Sequence, residues 1–437
     1  MIIDEIYTLY TQHPTISTDT RKITNGSIFF ALKGPTFNAN AFAQEALNKG
    51  AAYAIIDEGE YKKDDRYIVV KDTLKTLQEL AKYHRKELNI PVIAIVGSNG
   101  KTTTKELITS VLSKQFNVLA TPGNFNNHIG LPLTLLMLNK THEVAVIEMG
   151  ANHVGENAEL CEIASPNLGL ITNNGKDHLE GFGSIEGVAQ SNSELYYYLL
   201  KNDGLAFVNA NDEWLTRMAL RLTKKITYAA NDEEKRADAT CVGTALELRP
   251  EILFSYTFNG SESSSQIASC LSGDYNFDNI MAAVCIGHYL GLNSDFIKQG
   301  IESYQPTNNR SQVIKKIHNT IYLDAYNANP SSMEASLKNF DAMPFDHKIA
   351  IIGDMFEMGD YAAQEHANMI AFCKKLNLEQ VWLVGEEFSK QQAPGMKQFK
   401  TTAEVVAELT KNTLVNKNIF MKGSRGMKLE SLVEVIA

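Results

Sequence analysis

The segment from Val92 to Thr104 constrains the fold more than any other part of this sequence. It reads Val-Ile-Ala-Ile-Val-Gly-Ser-Asn-Gly-Lys-Thr-Thr-Thr, an apolar run followed at once by two glycines, a Lys-Thr pair and a stretch with one apolar helical face. Gly97 and Gly100 let the backbone turn its N–H groups toward an anion, and the helix N-terminus adds its dipole. The pattern therefore predicts a buried strand, a phosphate-binding loop and a helix within an α/β sheet.

The spacing departs from the common G-x-x-x-x-G-K-[ST] pattern, because Ile95 stands five positions before Gly100. With a strand before it and a helix after it, the loop still favours nucleoside triphosphate binding over a structural glycine turn. Lys101 would reach the terminal phosphates, and the Thr102 hydroxyl would bind Mg²⁺. The candidate ATP-binding residues of the loop are Gly97, Ser98, Asn99, Gly100, Lys101, Thr102 and Thr103.

Two further residues are expected near this loop. Glu148 ends the apolar run 144–147, and the carboxyl ends of parallel strands meet at one edge of a sheet. This position favours a Mg²⁺ ligand over a solvated glutamate. His178 follows the next apolar run, 168–171, so it can face the same place, but the residues alone leave a ligand and an ordinary packed or exposed histidine equally open.

Composition places the chain among ordinary globular proteins with more than one domain. It has 437 residues, 44% hydrophobic residues and a net charge of −10, which argues against a nucleic-acid-binding protein. The N-terminus lacks the pattern of an export signal, and no stretch is long and apolar enough to span a membrane. Five cysteines without a C-x-x-C pair predict reduced thiols in a cytoplasmic protein. We expect a monomer, although the net charge decides nothing about oligomeric state.

The order of apolar runs predicts an α/β fold with three domains. Residues 1–88 form a small α/β domain that ends before Pro91, and residues 89–305 form a central parallel-sheet P-loop ATPase domain, with near-continuous apolar strands. After the turn-rich stretch 306–309, residues 306–437 form a third, Rossmann-like α/β domain. Polar residues 231–235 and 259–265 are predicted to be loops.

Several segments in order along the chain resemble the Mur ligases. They are the loop 97–106, Thr121 to Pro132, Ile147 to Asn152, Asn173 to Ser184, Asp324 to Pro330 with Ser332 and Met333, Gly353 to Gly359, and Lys422 to Arg425. The resemblance implies a cytoplasmic ATP-dependent amide ligase of peptidoglycan precursor synthesis, which joins D-alanyl-D-alanine to UDP-N-acetylmuramoyl-tripeptide through an acyl phosphate. The segment Tyr326 to Pro330 is its most discriminating motif.

The resemblance also implies roles for individual residues. It assigns Mg²⁺ to Thr102, Glu148 and His178, the adenine side to Asn276 and Asn279, the γ-phosphate to Arg310 and the ribose to Asp324. Lys101, Glu148, His178 and Arg310 are the implied catalytic residues. The implied substrate-binding residues are Ser17, Arg21, Asn126, Asn127, Tyr326, Asn327 and Asn329. Asn327 and Asn329 either shape the site around the dipeptide or only turn the chain, and Lys422 to Arg425 either meets substrate or is a solvated loop.

One position departs from the resemblance. Asn192 stands where the Mur ligases have a lysine that becomes carbamylated and holds a second Mg²⁺, and a neutral amide cannot supply that negative charge. We therefore expect weak binding of a second metal, unless Glu194 or a water-filled site substitutes.

Three alternatives remain open from the sequence. The chain could be a related ligase with another amino acid substrate, a folylpolyglutamate synthetase, or a non-catalytic ATP-binding relative weakened by Asn192. The segment Tyr326 to Pro330 argues against the first two. The sequence leaves open whether the third residue of the tripeptide is diaminopimelate or lysine.

Overall fold

The structure is a computed structural model that describes residues 3–230 and 239–436. It contains three main β-sheets that follow one another along the chain, each with helices packed against it. This architecture confirms the predicted fold class, and the exact boundaries after residues 88 and 305 stay predictions. The predicted loop at 231–235 lies outside the described residues, and residues 259–266 connect two strands as expected.

The N-terminal domain has a four-stranded parallel sheet. Its strands, in spatial order, are Ile16–Ser17, Ile28–Phe30, Tyr53–Ile56 and Tyr67–Val69, and a small hairpin pairs Lys33–Gly34 with Phe37–Asn38. The helices are Ile3–Gln12, Ala43–Asn48 and Thr73–Leu88, with short 3₁₀ turns at Thr20–Lys22, Ala39–Phe42 and Gly59–Tyr61. Asp72 caps the last helix through the Lys75 amide, and Asn89 ends it at a positive φ before Pro91.

The central domain is built on a nine-stranded sheet. Its strands, in spatial order, are Ile267–Ser269, Ile252–Phe258, Cys241–Glu247, Lys225–Ala230, Leu205–Asn209, Leu168–Ile171, Val92–Val96, Val144–Glu148 and Val118–Ala120. Its helices are Lys101–Leu112, Gly130–Leu135, Glu156–Ala164, Leu179–Phe182, Ile185–Lys201, Glu213–Met218, Asp274–Tyr289 and Ser294–Ser303, with a 3₁₀ turn at Ala219–Arg221. Every residue of Val92–Val96 is buried, because helices cover both faces of the sheet.

The far end of this sheet was not predicted. Cys241–Glu247 pairs in parallel with Lys225–Ala230. Beyond it, Ile252–Phe258 pairs antiparallel with Cys241–Glu247, and Ile267–Ser269 pairs antiparallel with Ile252–Phe258. The central sheet is therefore parallel around the phosphate loop and mixed at its far edge.

The C-terminal domain has a six-stranded sheet with one antiparallel edge strand. Its strands, in spatial order, are Gln312–Lys315, Thr320–Asp324, Asn418–Lys422, Lys348–Gly353, Gln380–Val384 and Lys397–Phe399. Its helices are Pro330–Asp341, Ala362–Cys373, Glu386–Ser389 and Thr402–Lys411, with 3₁₀ segments at Gly359–Tyr361, Arg425–Met427 and Leu429–Glu434.

Two predictions about the whole chain can be compared with this structure. The five cysteines are all free thiols, as expected. Within the described residues, none of the helices has the length and apolar character needed to cross a membrane.

Candidate active site

The phosphate loop has the geometry that the sequence predicted. Gly97 has φ +126°, and a Cβ there would contact the Thr172 hydroxyl and lie 2.8 Å from the Thr172 amide nitrogen. Gly100 has φ +78°, and a Cβ there would lie 2.7 Å from Asn279 Oδ1. Both positions therefore require glycine. Lys101 begins the helix behind the loop, and its ammonium folds back onto the carbonyl oxygens of Gly97 and Ser98.

Beneath this loop, Glu148 is held in a buried polar cluster. Its carboxylate accepts hydrogen bonds from Thr102 Oγ1 and Asn126 Nδ2, both at 2.9 Å. Lys105 Nζ lies 3.6 Å from Glu148 Oε2 and donates to the Thr121 carbonyl at 2.9 Å. The predicted Thr102 and Glu148 pair is thus in place, with hydroxyl and carboxylate oxygens side by side.

Lys105 was missed by the sequence reasoning. It follows Lys101 by one helical turn, so both lysines lie on the same side of the helix, and this spacing was the available signal. Its burial beside Glu148 means that the charge of the carboxylate is balanced inside the protein.

A second loop, residues 172–178, packs directly against the phosphate loop. Asn173 accepts from the Asn99 amide through Oδ1 and from the Ser98 amide through its carbonyl, both at 3.1 Å. The Gly175 amide donates to Ser98 Oγ at 2.9 Å. The two loops therefore form one rigid rim at the carboxyl ends of adjacent parallel strands.

His178 ends the second loop and lines the same cavity, as predicted. Its Nδ1 lies 2.8 Å from Glu357 Oε2 in the C-terminal domain, and this contact is the leading cause that lowers the pKa of Glu357. Imidazole is a less usual Mg²⁺ ligand than oxygen. The ligand role of His178 stays a prediction, and the structure adds a contact with the C-terminal domain.

The helix Asp274–Tyr289 borders the opposite side of the phosphate loop. Asn279 Oδ1 accepts from Thr104 Oγ1 at 3.0 Å, and Asn279 Nδ2 contacts Asn276 Oδ1 at 3.3 Å. On the same helix, burial together with nearby carboxylates raises the pKa of Asp278 to about 7. Both predicted adenine-side asparagines line the cavity, whereas Asp278 was not predicted.

The C-terminal domain contributes a cluster of charged and aromatic side chains. The Arg310 guanidinium lies 3.7 Å from the Tyr326 ring centroid, and that of Arg425 lies 5.3 Å from it. Lys422 Nζ donates to Asp324 Oδ2 at 2.6 Å and to the Asn327 carbonyl at 3.2 Å. Lys422 is buried, so the solvated-loop alternative is wrong for this residue.

Asn329 connects this domain to the phosphate loop. Its Oδ1 caps the helix Pro330–Asp341 through the Ser332 amide at 2.8 Å, and its Nδ2 donates to Asn99 Oδ1 at 2.8 Å. A neighbouring contact runs from the Lys176 amide to Ser331 Oγ at 2.9 Å. Asn329 therefore does more than turn the chain before Pro330.

These elements enclose one cavity of about 660 Å³ between the central and C-terminal domains. The predicted residues that line it are Ser98, Asn99, Gly100, Lys101, Thr102, Thr103, Asn126, Asn127, Glu148, His178, Asn276, Asn279, Arg310, Asp324, Tyr326, Asn327 and Asn329. Gly97 of the phosphate loop is not among the lining residues. Neither are Ser17 and Arg21. They lie in the N-terminal domain, where Asp19 accepts a bidentate hydrogen bond from the Arg21 guanidinium.

Position 192 carries no charge toward this cavity. Asn192 is buried and donates to Asn174 Oδ1 at 3.1 Å. Glu194 accepts from the amides of Gly155 and Ala158, at 2.7 and 2.9 Å, at the start of the helix Glu156–Ala164. Of the alternatives left open, substitution by Glu194 is wrong, because its carboxylate accepts from the amides at the start of that helix instead.

Comparisons with known proteins agree with this geometry. Residues 95–287 match the family model "Mur ligase middle domain", and residues 309–425 match "Mur ligase, glutamate ligase domain". The UDP-N-acetylmuramoyl-tripeptide--D-alanyl-D-alanine ligase of Bacillus subtilis (strain 168) is 33% identical, with 96% of this chain and 92% of the relative covered.

Two solved structures are similar over nearly the whole chain. MurF from Acinetobacter baumannii superposes with a TM-score of 0.87 at 32% identity, covering 96% of this chain and 92% of that one. The MurF ligase from Thermotoga maritima, solved in complex with ADP, gives a TM-score of 0.83 at 25% identity and covers 96% of both chains.

Proposed function

The chain belongs to the Mur ligase family, and from this premise we propose that it joins D-alanyl-D-alanine to UDP-N-acetylmuramoyl-tripeptide, with conversion of ATP to ADP and phosphate. Relatives named UDP-N-acetylmuramoyl-tripeptide--D-alanyl-D-alanine ligase are similar over almost the whole chain. The solved relative that contains ADP supports nucleotide binding at the phosphate loop. The family, the fold and the enzyme class therefore agree.

One observation carries the proposal. The phosphate loop and the start of the helix Pro330–Asp341 border the same cavity and are joined by the hydrogen bond between Asn99 and Asn329. A group transferred from a nucleotide at the loop would meet a substrate held by the C-terminal domain without leaving the cavity. A cleft between two domains limits the access of water to a reactive acyl phosphate.

The chemistry follows from the weakness of a carboxylate as an electrophile. Transfer of the γ-phosphoryl group to the tripeptide carboxylate forms an acyl phosphate, and attack by the dipeptide amine forms the amide and expels phosphate. Lys101 and Arg310 are the cations that we assign to the transferred phosphoryl group. Lys101 must first release the carbonyl oxygens that it contacts in this structure.

Magnesium fits the donor atoms beside the loop. Thr102 and Glu148 bring a hydroxyl and a carboxylate together, and Mg²⁺ prefers such oxygens combined with substrate phosphates. Within the described residues, no three His, Cys, Asp or Glu side chains gather closely enough to hold a metal by themselves. We therefore assign Mg²⁺ to Thr102 and Glu148, with the phosphates completing its coordination, and His178 stays a weaker candidate.

The remaining roles are those that the resemblance to the Mur ligases implies. Asn276 and Asn279 border the nucleotide site on the adenine side, and Asp324 serves the ribose. The dipeptide lies near Tyr326, Asn327 and Asn329, with Asn126 and Asn127 across the cavity. Ser17 and Arg21 bind the UDP end from the N-terminal domain, outside this cavity. We propose that the enzyme acts in the cytoplasm as a monomer.

Release of ADP tests the proposal. The protein is mixed with ATP, Mg²⁺ and UDP-N-acetylmuramoyl-tripeptide, with D-alanyl-D-alanine, with L-alanyl-L-alanine or with neither, and Lys101→Met provides the inactive control. We expect release that requires the D,D-dipeptide. Release that ignores the dipeptide would contradict the ligase assignment. If the wild type released no ADP but Asn192→Lys did, the result would favour a weakened relative. The hydrogen bond between the uncharged side chains of Asn192 and Asn174 is the observation that supports this second candidate.

A further inference from the structure

Two hydrogen bonds join the helix behind the phosphate loop to the helix Ser294–Ser303, which leads into the linker before the C-terminal domain. Ser110 Oγ donates to the Gly300 carbonyl at 2.7 Å. One turn away along both helices, Tyr304 Oη donates to Glu106 Oε2 at 2.9 Å. The two helices are therefore fixed against each other at two successive turns, and Tyr304 lies at the end of this contact.

Tyr304 lies immediately before the linker 305–309 and is anchored to the central domain. It is 6% exposed, and its carbonyl accepts from Cys270 Sγ at 3.1 Å. Burial and the nearby Glu106 carboxylate raise the pKa of Tyr304, so the hydroxyl keeps its proton and donates it to a charged acceptor. Such a hydrogen bond is stronger than one between neutral groups. The hydroxyl and the backbone of Tyr304 are thus both bonded to the central domain.

Arg310 follows the linker and is held by the C-terminal domain. Its guanidinium lies 3.7 Å from the Tyr326 ring centroid, and its buried Nε has no hydrogen-bond partner in the described part of the chain. Between Tyr304 and Arg310, Asn308 and Asn309 adopt positive φ values of 59° and 57°, so the linker turns sharply. The position of Arg310 therefore depends on the stack with Tyr326 and on the point at which the linker begins.

We propose that Tyr304 and Glu106 are positioning residues that set where Arg310 meets the phosphoryl group of the nucleotide. The phosphates are expected at the start of the helix that carries Glu106, and the linker that carries Arg310 begins at Tyr304. One hydrogen bond thus ties both reacting parts to the same helix. A misplacement of about 1 Å can slow a reaction by about 100-fold, so loss of this bond can act on the rate from a distance. The inference rests on the proposed function for the role of Arg310, but not for the anchoring of the linker.

Steady-state release of ADP tests the pair. Tyr304→Phe keeps the ring and removes the hydroxyl, and we expect kcat to fall by about tenfold. The KM for ATP and the affinity for AMP-PNP should change by less than about twofold. Glu106→Gln keeps an acceptor oxygen, so its loss of kcat should be smaller than that of Tyr304→Phe. Tyr256→Phe is the matched control, because Tyr256 is also buried in the central domain, with its hydroxyl 2.8 Å from His288 Nε2, and it should keep the wild-type kcat.

A double-mutant cycle shows whether the pair acts through Arg310. Arg310→Lys keeps a cation, and with it measurable turnover, but not the planar guanidinium. In this background Tyr304→Phe should lower kcat by less than about twofold, because the group that it positions is gone. Equal losses in both backgrounds, or a wild-type kcat in Tyr304→Phe, would overturn the proposal. A loss of nucleotide affinity as large as the loss of kcat would also overturn it, since the bond would then only hold the phosphate-loop helix in place.

Tryptic cleavage after Arg310, followed by mass spectrometry, reports the anchor without turnover. In Tyr304→Phe we expect this bond to be cut at least about fivefold faster than in the wild type. Cleavage after the buried Lys105 reports unfolding of the central domain and should not change. A wild-type rate after Arg310, or faster cleavage at both sites, would overturn the proposal. If the wild type releases no ADP with any dipeptide but the difference at Arg310 is found, the proposed function fails and the anchoring of the linker stands.

Discussion

Replacement of Lys105 by methionine tests the charge balance beneath the phosphate loop. Methionine keeps much of the apolar stem and removes the ammonium, which lies 3.6 Å from Glu148 Oε2. The two side chains are 5% and 4% exposed, so the remaining carboxylate stays buried, with hydrogen bonds from Thr102 and Asn126 but without its cation. Loss of one partner from a buried ion pair costs about 3–5 kcal/mol, and we expect the central domain to lose that much stability.

Urea unfolding measures this loss. The chain has two tryptophans, Trp214 in the central domain and Trp382 in the C-terminal domain, so a Trp382→Phe background lets fluorescence report the central domain alone. With an m-value of about 2–3 kcal/mol per molar urea, the midpoint should fall by about 1–2.5 M. Lys201→Met, at an exposed helical position of the central domain, is the control and should change stability by less than about 0.5 kcal/mol.

A double variant gives the sharper criterion. In Lys105→Met/Glu148→Gln the buried site is neutral, so its loss of stability should be smaller than the sum of the two single losses by about 1–3 kcal/mol. Additive losses, or a Lys105→Met protein as stable as the wild type, would refute the reasoning that these two charges compensate each other.

Three further predictions concern other parts of the site. Gly97→Ala should weaken nucleotide binding more than tenfold in a fluorescent-nucleotide titration. Gly123 also has a positive φ, but an added Cβ there would meet open space, so Gly123→Ala should leave nucleotide binding unchanged. Equal effects of the two substitutions would contradict the steric argument. The raised pKa of Asp278 favours its protonated form in the folded protein, so the stability of the wild type should fall as pH rises from about 4 through 7. In urea unfolding, the stability of Asp278→Asn relative to the wild type should increase by up to about 3 kcal/mol between pH 5 and pH 8. A difference that stays constant over this range would refute the prediction. Lys176→Gln removes a half-exposed ion pair with Glu365 and should cost less than about 1 kcal/mol by the same assay, and a larger loss would show that the pair holds the domains together.

Much of the fold could be predicted from apolar runs that end in glycine or polar turns. Val92–Val96 and Leu168–Ile171 have the predicted bounds, because helices bury both faces of these strands and every residue is apolar or glycine. The strand Ile252–Phe258 was missed although its first, third and fifth residues are buried in alternation. That period of two was present in the sequence, but it is a weaker signal than a continuous run.

The candidate site was predictable only where local sequence carries the chemistry. The phosphate loop and Glu148 follow from their positions at strand ends. The spacing of Lys105 from Lys101 indicated its side of the helix, but its buried partner Glu148 is 43 residues away in the chain, so no local pattern specifies the pair. The bond between Asn99 and Asn329 joins residues 230 positions apart and needs the two domains to be placed first.

The side chain of Asn329 combines two tasks that need opposite hydrogen-bonding groups. Its oxygen holds the first turn of the helix Pro330–Asp341, and its NH₂ group holds the oxygen of Asn99. An aspartate could still cap the helix but would present a second oxygen to Asn99, and a serine would be too short to reach it. A single amide group therefore holds both the start of this helix and the contact between its domain and Asn99 of the phosphate loop. A substitution at position 329 would therefore affect the helix cap and the contact with the phosphate loop together, unless Asn99 changes at the same time.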